Sequence, residues 1–178
     1  MEFVSKGDRS FLVRDVRSVA LNPEQPGTAD VSLFSRRVDI PGQIVNGPGE
    51  FEVRDVLIAT LEHGGALAHA FDIDGINVFF VDGPAPALSE AVLQAIGRVS
   101  VLIVHVDETR AARQLVDDLL PRTVIAYGPA AADLCASLGA RDPEPQARVV
   151  WNPAGAVSKA VMLQSGPRKR TGRARRAA

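Results

Sequence analysis

Cysteine, tryptophan and tyrosine occur once each, and histidine three times, in this chain of 178 residues. The lone Cys135 excludes an internal disulfide and fits a reducing cytoplasm. With Ala131, Ala132, Leu134 and Leu138 around it, Cys135 reads as a small core residue rather than a nucleophile. No apolar run approaches the roughly 20 residues that span a bilayer. The opening Met1-Glu2-Phe3-Val4-Ser5-Lys6 has no basic stretch ahead of an apolar one, so it does not read as a signal peptide. Internal repeats, a P-loop, a dinucleotide fingerprint and a Ser/His/Asp order are all missing. The Gly47/Gly49 turn lacks the following helix that a phosphate loop requires. With 46% hydrophobic residues and a mean hydropathy of +0.06, the composition is that of a soluble globular protein of cytoplasmic type.

Charge is unevenly spread. From Gly166 onward come Arg168, Lys169, Arg170, Arg173, Arg175 and Arg176, with no acidic residue. The formal net charge is −1, so without these six cations the body stands at about −7. A like-charged block without apolar periodicity repels itself and has nothing to bury. The expectation is one domain over 1–165 and a basic, disordered tail over 166–178. Lacking aromatics, such a tail can neutralise phosphates but cannot stack on bases, so any nucleic-acid binding through it is sequence-independent and salt-sensitive.

The organising stretch runs from Asn46 to Gly83. A tight turn, Asn46-Gly47-Pro48-Gly49-Glu50, leads into apolar runs over 51–53, 56–61, 67–73 and 76–81. Asp74-Gly75 joins the last two, and Asp-Gly between apolar runs signals a hairpin, because a type I′ turn needs positive φ at both central residues. This predicts a four-strand antiparallel meander. Before it, 11–14 and 16–21 read as a hairpin, 30–35 as a partly buried strand, and 38–45 as a loop or very short strand.

After the meander the period changes. Helices are predicted near 89–96, 108–120 and 130–138, with Ser89 capping the first and Pro121 stopping the second. Ala111, Ala112, Leu115, Val116 and Leu119 supply the buried face of the second. Near-continuous apolar runs over 100–106 and 123–126 predict strands buried on both faces. Residues 148–151 and 156–164 read as closing strands. Antiparallel strands followed by β-α-β-α imply packed sheets with helices outside.

Several segments resemble a known family. Asn46-Gly47-Pro48-Gly49-Glu50-Phe51-Glu52-Val53 is similar to the "GPGEYEI" signature of small metallo-β-lactamase-fold proteins of the lactonase-like, Zn-dependent hydrolase branch. In the same order, Gly7-Asp8-Arg9-Ser10-Phe11 sits where that family has "GHSCF", and Ala20-Leu21-Asn22-Pro23 where it has "LTDP". Ala29 to Ser35 resembles "ADVVLVSH", and Asp74-Gly75-Ile76 with Val81-Asp82-Gly83 resembles "DG-I-…-LGD". Leu88 to Val106 and Leu120 to Ile125 resemble later segments of the family. The resemblance covers roughly residues 1–128 and implies an αββα sandwich of two mixed β-sheets with outer helices.

The same resemblance implies that the metal site is degenerate. The family's H-x-H-x-D-H motif follows the "ADVVLVS" strand, where its ligands hold zinc and activate a bound water. Here the strand runs into Ser35-Arg36-Arg37-Val38-Asp39-Ile40-Pro41, and guanidiniums cannot ligate a cation. The family's late histidine ligand falls near Tyr127-Gly128. Asp82 matches the "GD" aspartate and His63 lies near another ligand position, so these two are candidate metal remnants. The alternative for Asp82 is a turn residue satisfied by backbone N–H groups, and for His63 a loop residue beside Gly64-Gly65. His69 reads as a satisfied strand histidine.

His105 and Asp107, at the end of a buried strand, are candidate catalytic residues, a general base or a ligand pair. The structural alternative makes Asp107 the N-cap of the next helix. The functional expectation is a non-catalytic binding or assembly module without a resident cofactor. A zinc-dependent hydrolase with a rebuilt or partner-completed site is the alternative. Compared with the family the chain is shortened, and sheet-edge and core surface that the missing loop would have covered points to a homodimer with Phe34, Ile40 or Ile44 near the contact.

Overall fold

The computed structural model describes residues 1–7, 9–42, 44–86, 88–153 and 160–164. The basic tail and its six cations lie outside these residues, as do residues 156–159 of the predicted 156–164 strand.

Three two-residue turns build the centre of the molecule. Strands β6 (Gly49–Val53), β7 (Val56–His63), β8 (Ala66–Ile73) and β9 (Ile76–Val81) form the predicted meander. Each hairpin closes on the pair flanking its turn: Val53 with Val56, His63 with Ala66, and Ile73 with Ile76. Asp74 and Gly75 take φ of 54° and 76°, and the Asp72 carboxylate accepts the Gly75 N–H at 2.9 Å. The first turn reaches the same conformation without glycine, Arg54 and Asp55 having φ of 50° and 63°.

The meander continues into parallel strands. Helix α1 (Glu90–Ile96) leads to β10 (Val101–His105), α2 (Thr109–Leu119) to β11 (Thr123–Tyr127), and α3 (Ala131–Ser137) follows. With β13 (Ala160–Met162) these complete a seven-stranded mixed sheet, ordered β13-β11-β10-β9-β8-β7-β6. Ser89 caps α1 through the Val92 N–H, as its position predicts. The residue at the N-cap of α2 is Glu108, not the expected Asp107, and no side chain caps it. Ala111 is exposed; Ala112, Leu115, Val116 and Leu119 form the buried stripe, the arc that a 3.6-residue period brings to one face.

The second sheet has six strands, ordered β12-β1-β2-β3-β4-β5. These are β1 (Glu2–Gly7), β2 (Ser10–Arg14), β3 (Ser18–Leu21), β4 (Val31–Leu33), β5 (Ile44–Val45) and β12 (Arg148–Val150). The strand expected over 30–35 is confined to Val31–Leu33.

The two mixed sheets pack face to face, and strand alternation sorts neighbours between two cores. Phe80, Ile103, Ile125 and Tyr127 face the other sheet, beside Phe3, Phe11, Val13 and Leu21. Phe79, Leu102, Val104 and Val124 face the helices, beside Ile96, Leu115 and Leu134. All three described helices stand on this outer face of the seven-stranded sheet. No described helix is long and apolar enough to cross a membrane.

Candidate functional site

At one end of the sandwich, strand ends from both sheets meet around Asp82, the residue that follows β9. Its carboxylate is buried, with 5% side-chain exposure, and four side chains donate to it. Arg9 Nε (2.7 Å) and Tyr127 Oη (2.8 Å) donate to Oδ1, while Asn22 Nδ2 (2.7 Å) and Ser35 Oγ (2.9 Å) donate to Oδ2. Each donor comes from a different strand end. Arg9 sits in the β1–β2 turn at φ 59°, Asn22 just after β3 at φ 47°, Ser35 after β4, and Tyr127 at the end of β11.

Asn22 ties the first sheet's contribution together. Its Oδ1 accepts the Ser35 N–H at 2.7 Å, its Nδ2 also points to the Arg9 carbonyl at 3.4 Å, and its own N–H donates to the Leu33 carbonyl. Both loops are thereby fixed relative to Asp82. Burial and the adjacent Asp82 carboxylate push the Tyr127 hydroxyl well above its ordinary pKa, so it stays a donor. The expectation that backbone N–H groups satisfy Asp82 is thus corrected: the donors are side chains brought in from both sheets.

A cleft of about 300 Å³ opens over this cluster. Arg9, Asn22, Ser35, Arg36 and Asp82 line it, with Phe34 and Val38 as an apolar wall. Arg36, standing where the resemblance puts the first histidine of the metal motif, reaches this cleft. Tyr127, near the family's late histidine position, reaches the same carboxylate.

A metal ion needs lone pairs aimed at it. A carboxylate offers about four, and four protein donors take them at Asp82. Arg9 also puts a permanent cation beside the carboxylate that would otherwise meet the metal. The residues at this site do not fit a zinc ion. Among the described residues, no group of three or more His, Cys, Asp or Glu side chains is arranged to hold a metal.

The other candidates lie apart in role. His63 ends β7 rather than sitting in a loop, is exposed, and borders with Asp82 a crevice too narrow for water. His105, at the end of β10, packs edge-on against Tyr127, with ring centroids 5.2 Å apart. Its Nδ1 lies 3.4 Å from the exposed Asp107 carboxylate. On its other side the ring is pressed against Gly128, where a Cβ would meet Nε2 at 2.8 Å. Burial first, and then the Arg9 charge, lower the His105 pKa, with Asp107 and Asp82 opposing them. His105 and Asp82 therefore share a neighbourhood, with Tyr127 between them, and His63 joins neither in a hydrogen bond.

His69 is the satisfied strand histidine expected. Its ring bridges Thr60 Oγ1 and the Phe34 carbonyl, each at 2.9 Å, and burial pushes its pKa down to about 4. That bond also holds the chain after β4 onto the seven-stranded sheet. Phe34 is itself buried, with 7% exposure, and what it exposes lines the cleft over Asp82. Cys135 is buried in the helix-side core, which pushes its thiol up to about 11.

No protein-family model matches the chain, and no curated protein matches it at a significant level. Solved structures do. One is a protein of the metallo-β-lactamase superfamily from Thermotoga maritima, proposed to be a Zn-dependent hydrolase. It superposes with a TM-score of 0.73 at 19% identity, covering 92% of this chain and 98% of that one. The chain has the metallo-β-lactamase fold. A second match, the metallo-β-lactamase fold protein YhfI from Bacillus subtilis, has a TM-score of 0.48 at 8% identity. It covers 70% of this chain and 85% of that one, a likeness too loose to build on.

Arg9, Asn22, Ser35 and Tyr127 escape a reading for catalytic types, because each is an ordinary polar residue in a turn or at a strand end. The available signal was positional. All four fall on, or next to, segments aligned with the family's motifs, and each replaces or neighbours a residue expected there.

Proposed function

We propose that this chain is a non-catalytic bearer of the metallo-β-lactamase fold that works as a binding module. The Arg9–Asp82 ion pair carries this reading. The guanidinium supplies the positive charge that a metal would otherwise bring to a buried carboxylate, and Asn22, Ser35 and Tyr127 fill the remaining acceptor positions. A guanidinium neutralises charge but has no exchangeable water to ionise, so it cannot generate the hydroxide nucleophile that zinc supplies in a hydrolase. The cleft above the cluster keeps a shape and polar lining suited to holding a ligand.

Metal analysis of protein purified without chelators tests this directly. Zinc well below one equivalent is expected, with no change in melting temperature on adding zinc or a chelator. Stoichiometric zinc that is lost on replacing Asp82 would overturn the reading.

A further inference from the structure

We propose that the cleft over Asp82 binds the carboxylate of a small organic acid, held between Arg9 and Arg36. The inference rests on the non-catalytic reading, since a metal on Asp82 would displace Arg9 from its place. Three observations carry it.

First, Arg9 is anchored yet still reaches solvent. Its Nε donates to Asp82, its guanidinium also interacts with the Tyr127 hydroxyl, and its side chain is 36% exposed. A guanidinium fixed through one edge presents the other as a preoriented fork of donors, which suits a planar carboxylate.

Second, Arg36 is exposed on the same cleft without an ion-pair partner among the described residues. Its neighbour Arg37, in contrast, pairs with Glu62 at 2.9 Å. Two guanidiniums against one carboxylate leave the lining with one uncompensated positive charge in a body that is otherwise acidic. A monoanion balances it. A phosphate dianion would overshoot.

Third, Asp82 does not repel such a ligand as a bare carboxylate would. All its acceptor positions are turned toward protein donors, so the lining offers a ligand N–H groups rather than lone pairs. Phe34 and Val38 form the wall beyond, which fits a short apolar chain behind the carboxylate.

Butyrate is a suitable probe, with inorganic phosphate as the competing oxyanion. Zinc content is measured first. Butyrate is then titrated into the full chain in a buffer free of other carboxylates, and binding is read by calorimetry and ligand-observed NMR. Saturable binding is expected in the wild type. Arg36→Gln should weaken it by about tenfold or more, the loss of one charged hydrogen-bonding partner. Its unfolding midpoint should remain that of the wild type, and Arg36→Lys should recover part of the affinity.

No saturable butyrate binding to zinc-free protein would overturn the carboxylate site and leave the non-catalytic reading standing. Butyrate binding that Arg36→Gln does not weaken would also overturn it, as would saturable binding of phosphate but not butyrate. Stoichiometric zinc dependent on Asp82 would overturn both the site and the reading beneath it.

Discussion

Two buried polar nodes of this molecule, His69 and Asp82, solve the same problem in opposite ways. His69 sits in a dry position between Thr60 and the Phe34 carbonyl, and burial keeps it neutral. Asp82 is satisfied by four donors, one of them a cation, at the floor of a cleft. A polar side chain that is merely structural can discard its charge when buried. One paired with a guanidinium at the mouth of a cleft retains an electrostatic field that a ligand can feel. The difference separates a pin from a candidate site.

The largest effect should come from unbalancing the charged node. Asp82→Asn leaves Arg9 without its counterion and sets an amide against donors, and should cost about 3 kcal/mol of stability. Denaturant unfolding measures this. A loss below about 1 kcal/mol would mean that the carboxylate is not the hub described here.

The neutral node should show itself in pH dependence. His69 has a folded pKa of about 4 against an ordinary 6.5, so the unfolded chain binds the proton more tightly. Its stabilising contribution is complete above about pH 6.5 and is lost as the pH falls from there toward 4, amounting to about 3 kcal/mol. His105, also shifted downward, adds a loss of the same sign. Unfolding free energies from pH 7 to 4, compared with those of His69→Gln, isolate the His69 share. A variant as steep as the wild type would contradict the assignment.

Tyr127→Phe removes a single donor from Asp82 without emptying the space its ring fills. About 1.5 kcal/mol is expected, the worth of one hydrogen bond to a charged group. The smallest effect belongs to Arg36→Gln, which should stay within about 0.5 kcal/mol because that exposed side chain makes no ion pair among the described residues. Tyr127 and Arg36 both border the Asp82 site, so the contrast between these variants separates what builds the cleft from what faces into it.

The sandwich was more legible than its site. Asp74-Gly75 and Gly64-Gly65 announce turns because few residues adopt positive φ readily, and the 3.6-residue period of Leu115 and Leu119 announces a helix. Strand β1 went unseen because Phe3 is its only fully buried side chain and Glu2, Ser5 and Lys6 mask the alternation. Asp82 could be singled out, since it matched a motif. Its partners carried only that positional signal, because no periodicity links Arg9, Asn22, Ser35 and Tyr127; the pairing of strands brings their ends together. The N-cap assignment for Asp107 failed by one residue, the usual margin of uncertainty at a helix boundary.

The pairing of β1 with β12 also has a kinetic side. Phe3 lies opposite Val149, and the Trp151 N–H reaches the Met1 carbonyl at 2.9 Å, so this sheet edge closes only when distant parts of the chain meet. The meander needs only three tight turns. Loop closure grows costlier with the length enclosed, and local contacts form sooner. The seven-stranded sheet should therefore assemble outward from its hairpins, with the β1–β12 seam zipping late. Pulse-labelled amide exchange during refolding should find β8 protected before β1; the reverse order would contradict this sequence of events.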